Sequence, residues 1–323
     1  MAALCEETER LSFSDSFGLG PETMHHVYNS IIEKAYNPID LHALSEATMT
    51  DKDFYRFSEF IHSRYGIKLP LTKKTMLEGR FRKRLASLGM RSFSEYCDYV
   101  FSPEGIQKEL AYMVDAVTTN KTDFFREPGC FDYLVQTALP ALMKTHGAGI
   151  QKGLSLWSAG CSSGEEPYTL AMVLSEFAEG NPGFRFSILA TDISLRMLDT
   201  AIRAVYNEDR VEPLPDALRK KYLMVSKNRE KHMVRMAPEL RSLIKFRRLN
   251  FMENNFGMEE PFEIIFCRNV IIYFDRKTQE RLLNKFCRHL IPGGYLVVGH
   301  SEILANMNVP VTRVCQTVYR KSV

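Results

Sequence analysis

The sequence predicts an all-helical N-terminal domain followed by an α/β domain built on a parallel sheet, with a small β-rich insertion in the second. Three observations predict it. In the first part Phe54, Phe57, Phe60 and Ile61 recur at the spacing of one helix face. Beyond Pro140 short apolar runs alternate with helical patterns, as strands and helices do when a parallel sheet is covered on both faces. Between 207 and 241 that alternation lapses into charged residues with Pro213 and Pro215, which marks an insertion. The 323 residues suffice for two domains of ordinary size, roughly 100 to 200 residues each.

Taken in order, residues 1–50 carry Glu6, Glu7, Glu9, Asp15, Glu22, Glu33, Asp40 and Glu46 against Arg10 and Lys34. They read as an acidic extension, partly disordered or helical, with a candidate helix over 25–35. Residues 51–130 form the helical domain and its linker. Within it 73–89 is a basic amphipathic helix: Leu77, Phe81, Leu85 and Leu88 make the apolar stripe, while Lys73, Lys74, Arg80, Arg82, Lys83 and Arg84 crowd the other faces. Gly89 suits the left-handed position that ends such a helix. The α/β domain occupies 131–323, with strands expected at 154–159, 184–192, 244–251, 262–269 and 294–299. Helices are expected at 166–179, 194–206 and 276–290, and a closing hairpin over 309–321. The insertion, 207–241, includes a β-prone piece at 232–236.

Composition narrows the function classes. With 45% hydrophobic and 25% charged residues the balance is that of a globular protein, and no run approaches the roughly 20 apolar residues needed to span a bilayer. Direct membrane insertion is therefore not expected. The first residues lack the basic start and apolar core of a secretory signal, so a cytoplasmic location is expected. Seven scattered cysteines, with no C-x-x-C pair, predict neither a metal site nor a disulfide framework. A net charge of +3 is too small to argue for nucleic acid by itself.

Candidate ligand chemistry centres on Trp157-Ser158-Ala159-Gly160-Cys161-Ser162-Ser163-Gly164-Glu165-Glu166-Pro167. A strand ends in Gly160, small residues turn, and a helix opens at Glu165, which places backbone against a ligand at the carboxyl edge of the sheet. Asp192 ends the next strand and suits the two hydroxyls of a ribose. A phosphate would favour the helix N-terminus, yet two carboxylates stand there and the G-x-G-x-x-G and G-K-[ST] signatures are absent. The same pair of glutamates also suits the helix dipole from the surface. A ligand bearing sulfonium and ammonium groups fits this end better than a dinucleotide, which points to S-adenosyl-L-methionine. Two further polar clusters, 118–127 and 267–275, flank the domain's start and its fourth strand. Buried polar groups without partners cost about 1 to 3 kcal/mol each, so these clusters are expected to face the ligand.

Several motifs in the same order resemble the bacterial chemotaxis receptor methyltransferases, the CheR family, from about Asp51 onward. They are the basic helix, Thr119-Asn120-Lys121-Thr122-Asp123-Phe124-Phe125-Arg126, the Trp157 to Pro167 loop with Tyr168, Ala190-Thr191-Asp192-Ile193, Leu249-Asn250, Arg268-Asn269-Val270-Ile271-Ile272-Tyr273-Phe274-Asp275 and Gly293-Gly294-Tyr295-Leu296-Val297-Val298-Gly299-His300-Ser301-Glu302. The resemblance implies a Rossmann-like S-adenosylmethionine-dependent methyltransferase domain with a small inserted β-subdomain, preceded by an all-α domain. It implies S-adenosyl-L-methionine as cofactor and S-adenosyl-L-homocysteine as product, held by Asn120, Thr122, Arg126, Gly160, Glu165, Glu166, Asp192, Asn250, Phe251, Arg268 and Asn269. Arg126 and Tyr273 would lie nearest the transferred methyl as catalytic residues.

The implied substrate is a glutamate side chain on the cytoplasmic domain of membrane chemoreceptors, methylated in chemotaxis adaptation, with Arg80, Lys83 and Arg84 docking the receptor and the enzyme acting as a monomer. In some members the inserted β-subdomain grips the receptor's C-terminal tail; 207–241 is its counterpart here, although 224–234 holds no glycine for a tight turn. A glutamate, with an ordinary pKa of about 4.3, is already an anionic nucleophile at neutral pH, so no general base is required. A nucleic-acid methyltransferase is the first rival, but 269–273 lacks the two prolines of the usual [DN]-P-P-[YFW] motif and the positive charge is confined to one helix. A catalytically silent S-adenosylmethionine-binding adaptor is the second, opposed by intact Asn120, Arg126, Asp192, Asn269 and Tyr273.

Overall fold

A computed structural model describes residues 47–322. The candidate helix over 25–35 lies outside the described residues, as does most of the acidic extension. The chain divides into two compact units: Pro70–Val117 with the chain before Ser58, and Ser58–Leu69 with the chain from Thr118 onward. The 118–130 run, read from sequence as part of the helical domain and its linker, therefore groups with the sheet.

The smaller unit is all helix. Helix α1 (Asp51–Tyr65) contributes its residues up to Phe57, followed by α2 (Lys74–Leu88), α3 (Phe93–Val100), α4 (Pro103–Lys108) and α5 (Leu110–Val117). Leu77, Phe81 and Leu85 of α2 are fully buried, as the apolar stripe predicts, and Gly89 ends the helix with φ 68°. The core forms round three rings: Phe57 and Phe81 meet edge to face at 4.9 Å, and Phe81 meets Tyr96 at 5.4 Å. Each such ring contributes roughly 1.5 to 3 kcal/mol by leaving water. The side chains of Ser92 and Ser102 cap α3 and α4 by accepting the backbone N–H of Glu95 and Gly105.

In the larger unit α6 (Gly129–Tyr133) runs through a π-helical turn into α7 (Leu139–His146), and then strands and helices alternate. They are β1 (Leu154–Ala159), α8 (Glu165–Glu179), β2 (Phe186–Asp192), α9 (Leu195–Arg203), β3 (Val205–Asn207), α10 (Asp216–Tyr222), β4 (Leu223–Val225), β5 (Met233–Met236), α11 (Pro238–Arg241), β6 (Ile244–Arg248), β7 (Phe262–Cys267), α12 (Arg276–Arg288), β8 (Leu290–Val298), β9 (Val311–Arg313) and β10 (Val318–Lys321). The main sheet has seven strands in the order β6-β2-β1-β7-β8-β10-β9. The first five run parallel; β10 and β9 add antiparallel, so the C-terminal hairpin makes an otherwise parallel sheet mixed.

Strand pleating distributes the core. Leu154, Leu156, Ile264 and Phe266 point to the face covered by α7, α8 and α9, whereas Trp157, Ala159, Ile265 and Cys267 point to the face covered by α12. Strand β6 stops at Arg248, earlier than expected, because Asn250 Oδ1 accepts the Met252 N–H and turns the chain. The insertion forms a separate three-stranded antiparallel sheet in the order β3-β5-β4. Its missing glycine is replaced by His232, which takes φ 46° just before β5. No helix among the described residues is long and apolar enough to cross a membrane.

Candidate functional site

Because β6, β2, β1, β7 and β8 run parallel, the loops after them open at one edge of the sheet, where doubly wound folds bind ligands. Hydrogen bonds draw those loops together. Asp192, at the end of β2, accepts the backbone N–H of Ser162 at 2.8 Å and of Ser194 at 2.9 Å. The Ser162 hydroxyl donates to the Asn120 carbonyl at 3.1 Å, which ties the 118–127 run to the turn after β1. Gly160, at φ 86°, permits a close approach: a Cβ there would lie 2.4 Å from Val270 Cγ2.

Two glutamates open α8, and each has its own arginine. Glu165, only 1% exposed, accepts hydrogen bonds from the Ser163 hydroxyl and Arg210. Glu166, 13% exposed, accepts from the Ser158 hydroxyl at 2.7 Å and from Arg268 at 3.2 Å. Burial pushes the Glu166 carboxyl above the usual carboxylate range in spite of both partners. The guanidinium of Arg268, 2% exposed, also donates to the Arg126 carbonyl and to Glu127 Oε2. Burial would raise the Glu127 carboxyl, but the charge and hydrogen bond of Arg268, with His300 and Asn269, together outweigh it and leave it lowered. Arg268 is thus a buried cation set between two carboxylates, which fixes the start of the 268–275 loop against 126–127.

A further carboxylate holds the other half of that loop. Glu302, 4% exposed, accepts the N–H groups of Gly299 at 2.6 Å and of Asn269, Val270 and Ile271 at 2.8 Å each. Asn269 sits there at φ 58°, and Phe125, Glu127 and Ser162 also take positive φ. Each left-handed non-glycine residue costs about 1 to 3 kcal/mol and persists only where its surroundings impose it. All four lie in the loops at this edge. Tyr273 closes the turn after β7; its carbonyl accepts the Lys68 N–H at 2.9 Å, and its hydroxyl makes no hydrogen bond among the described residues.

Among the expected site residues, Asn120, Thr122, Arg126, Gly160, Glu165, Glu166, Asp192, Arg268 and Asn269 belong to this connected set of loops. Arg126 turns back to donate to the Lys121 carbonyl at 3.0 Å. Asn250 stands at the same edge, but its amide is engaged by the Arg64 carbonyl and the Met252 N–H. The Phe251 ring is placed in the core instead, 5.4 Å from Phe286 and 6.4 Å from Trp157, because an apolar ring gains more there than at a polar edge. The basic helix also divides. Arg84 makes a two-pronged pair with Glu109, itself 2% exposed, at 2.7 Å per bond and lies over the Tyr112 ring. Arg80 donates to the carbonyls of Ala116 and Val117, and Lys83 is exposed. Glu127, Arg210 and Glu302 were not named as individual site residues. The first closes the 118–127 polar cluster and the third ends a motif, whereas nothing in the insertion's composition singles out Arg210.

Residues 120–320 match the family described as "CheR methyltransferase, SAM binding domain", and residues 52–118 match "CheR methyltransferase, all-alpha domain". The chain belongs to the CheR methyltransferase family. A "Chemotaxis protein methyltransferase" of Borreliella burgdorferi is 40% identical over 263 residues, 81% of this chain and 92% of that protein. "Chemotaxis protein methyltransferase 2" of Pseudomonas aeruginosa is 36% identical over 84% of this chain and 93% of its own length, and the Escherichia coli "Chemotaxis protein methyltransferase" is 34% identical over 85% and 92%. This CheR chain is an S-adenosylmethionine-dependent methyltransferase, and the residues present fit that cofactor. Asp192 ends β2 as a carboxylate, Gly160 leaves room for close backbone approach, and the mouth of α8 is lined by glutamates rather than by a phosphate-binding turn. Among the described residues no cluster suits a metal ion.

Proposed function

We propose that this enzyme methylates glutamate side chains on the cytoplasmic helical bundle of chemoreceptors, giving γ-glutamyl methyl esters and S-adenosylhomocysteine. One observation carries the reading: similarity to chemotaxis protein methyltransferases spans both units and 92%, 93% and 92% of three such relatives. The bound cofactor supplies a methyl group on a positively charged sulfur. Asp192 suits its ribose hydroxyls, and Glu166 suits its ammonium group better than Glu165, which is closed off by Arg210 and Ser163. Asn120, Thr122, Arg268 and Asn269 complete the pocket.

The protein's remaining task is alignment. The substrate glutamate is already ionised, so Arg126 and Tyr273 need only hold its carboxylate in line with the methyl while the loops exclude water. Receptor docking rests on Lys83 with Arg80 on α2, since Arg84 is consumed by Glu109. The enzyme works in the cytoplasm as a monomer. The test is methyl transfer from radiolabelled cofactor to receptor-containing membranes, followed by base treatment. Release of labelled methanol supports the reading; base-stable label in nucleic acid, or no transfer at all, overturns it.

A further inference from the structure

The inserted sheet reaches back into the cofactor loops through two side chains. Arg210 lies in the turn Glu208–Val211 that follows β3, and one of its terminal nitrogens donates both to Glu165 and, at 2.8 Å, to the Thr122 carbonyl. Its other terminal nitrogen stands 3.7 Å from Asp123 Oδ1. Within β3 itself the Tyr206 hydroxyl donates to the Ser163 carbonyl at 2.7 Å, and the Tyr206 ring meets Phe124 edge to face at 5.2 Å. The packing there is close enough to dictate a glycine: Gly164 has φ 99°, and a Cβ on it would lie 2.9 Å from the Tyr206 oxygen. Residues 122–124 and residues 163–165 of the cofactor loop are therefore clamped by one strand and turn of the insertion.

We infer that Arg210 is a positioning residue for S-adenosylmethionine: it holds Thr122 and the first residue of α8 in one geometry, so cofactor affinity depends on the inserted sheet. The inference rests on cofactor binding and not on the identity of the methyl acceptor. Arg210 also has a plain structural task, because Glu165 is buried and an unpaired buried carboxylate is costly. The two tasks are separable. Removing both Glu165 and Arg210 abolishes the need for a counter-ion, but it still leaves the Thr122 carbonyl without its donor.

The experiment is a double-mutant cycle on the full chain, with wild type, Arg210→Met, Glu165→Gln and the double variant. Urea unfolding and calorimetric titration with S-adenosylhomocysteine are measured for each. Arg210→Met should lose stability and bind about tenfold or more weakly. Glu165→Gln keeps an oxygen that accepts from Arg210, so it should bind more tightly than the double variant, which should regain stability while binding as weakly as Arg210→Met. Arg210→Lys should recover part of the affinity, since it keeps one donor near Thr122. Three results overturn the inference: wild-type affinity in the double variant, which makes Arg210 a counter-ion only; Arg210→Met binding within about twofold of wild type; or Glu165→Gln alone binding as weakly as the double variant. Absence of binding by the wild-type chain would overturn the cofactor assignment itself and this inference with it.

Discussion

Replacing Glu302 by Gln tests how the 268–275 loop is held. One carboxylate oxygen accepts the N–H groups of Val270 and Ile271, and the other accepts those of Asn269 and Gly299. An amide of the same size keeps one accepting oxygen and turns an NH2 toward the other pair. Two buried donors then lose their acceptor, at about 1 to 3 kcal/mol each, so about 2 to 6 kcal/mol is at stake. A second effect works against this. Burial raises the Glu302 carboxyl above the usual range even against four N–H donors, so its folded pKa lies above the unfolded value. Stability linked to that shift is complete below the unfolded pKa and is lost as pH rises through the folded pKa, so at neutral pH the wild type already bears a desolvation cost that Gln removes. The lower half of the range, about 2 to 4 kcal/mol, is the expected loss. That is a large share of the roughly 5 to 15 kcal/mol typical of a folded protein. Urea unfolding at neutral pH, followed by circular dichroism, measures it as a lower midpoint at unchanged slope. A loss below about 1 kcal/mol would mean that the two stranded N–H groups find other acceptors and that the carboxylate does not hold the loop.

Three further predictions follow from the geometry. Tyr273→Phe should cut turnover by at least about tenfold while the affinity for S-adenosylhomocysteine holds, and unchanged turnover would remove Tyr273 from the mechanism. Arg84→Ala should cost about 3 to 5 kcal/mol in urea unfolding by stranding Glu109, whereas Lys83→Glu should leave stability within about 0.5 kcal/mol and weaken receptor binding at low salt. Equal receptor binding by the Lys83 variant and wild type would move the docking surface elsewhere. Asp275, which pairs with His62 at 3.0 Å and caps α12 through the Thr278 N–H, has its carboxyl lowered to about 2. A lowered folded pKa contributes stability above the unfolded value that is lost as pH falls towards the folded one, so His62→Gln should diminish the acid dependence of stability between about pH 4 and 2. Superimposable acid titrations of the two proteins would count against that pairing.

What the sequence made legible follows the range of the forces involved. Strand β1 lies where its apolar run ends in Gly160, and α2 ends at Gly89, because both signals are local: pleat alternation in one case, a left-handed cap in the other. The order of seven strands was less legible, since the two-strand hairpin at 311–321 joins β8 by an antiparallel ladder whose partners lie far apart in the chain. Candidate site residues were legible where they sit in strand-to-helix turns, as Asp192 and Arg268 do. Arg84 carries the opposite lesson. Its place on a basic face suggests a partner outside the protein, but its counter-charge is Glu109, 25 residues away and folded in against it. Charge patterning along one helix cannot report a carboxylate delivered by the turn between two others. Phe251 carries a related lesson: proximity to Asn250 in the chain says nothing of which face of the sheet a ring turns to, and the ring joins Trp157 and Phe286.

At the mouth of α8 the glutamates are paired and not bare. Two bare carboxylates would favour a cationic ligand by simple attraction, but Glu165 is neutralised by Arg210 and Glu166 is shared with Arg268. Each glutamate there has an arginine against it, so discrimination against phosphate comes from direction as well as from total charge. Glu166 stands in the first turn of the helix that would cradle a phosphate, with a side chain 13% exposed, while that of Arg268 is 2% exposed and donates to Glu127 and the Arg126 carbonyl. A ligand arriving at this edge thus meets the carboxylate before the guanidinium. An ammonium group gains a charge-assisted hydrogen bond there, and a phosphate meets repulsion at the helix end that would otherwise receive it. The same arrangement explains why Arg268 is an arginine: its planar fork can serve Glu166 and Glu127 from one buried position, which a lysine's single ammonium serves less well.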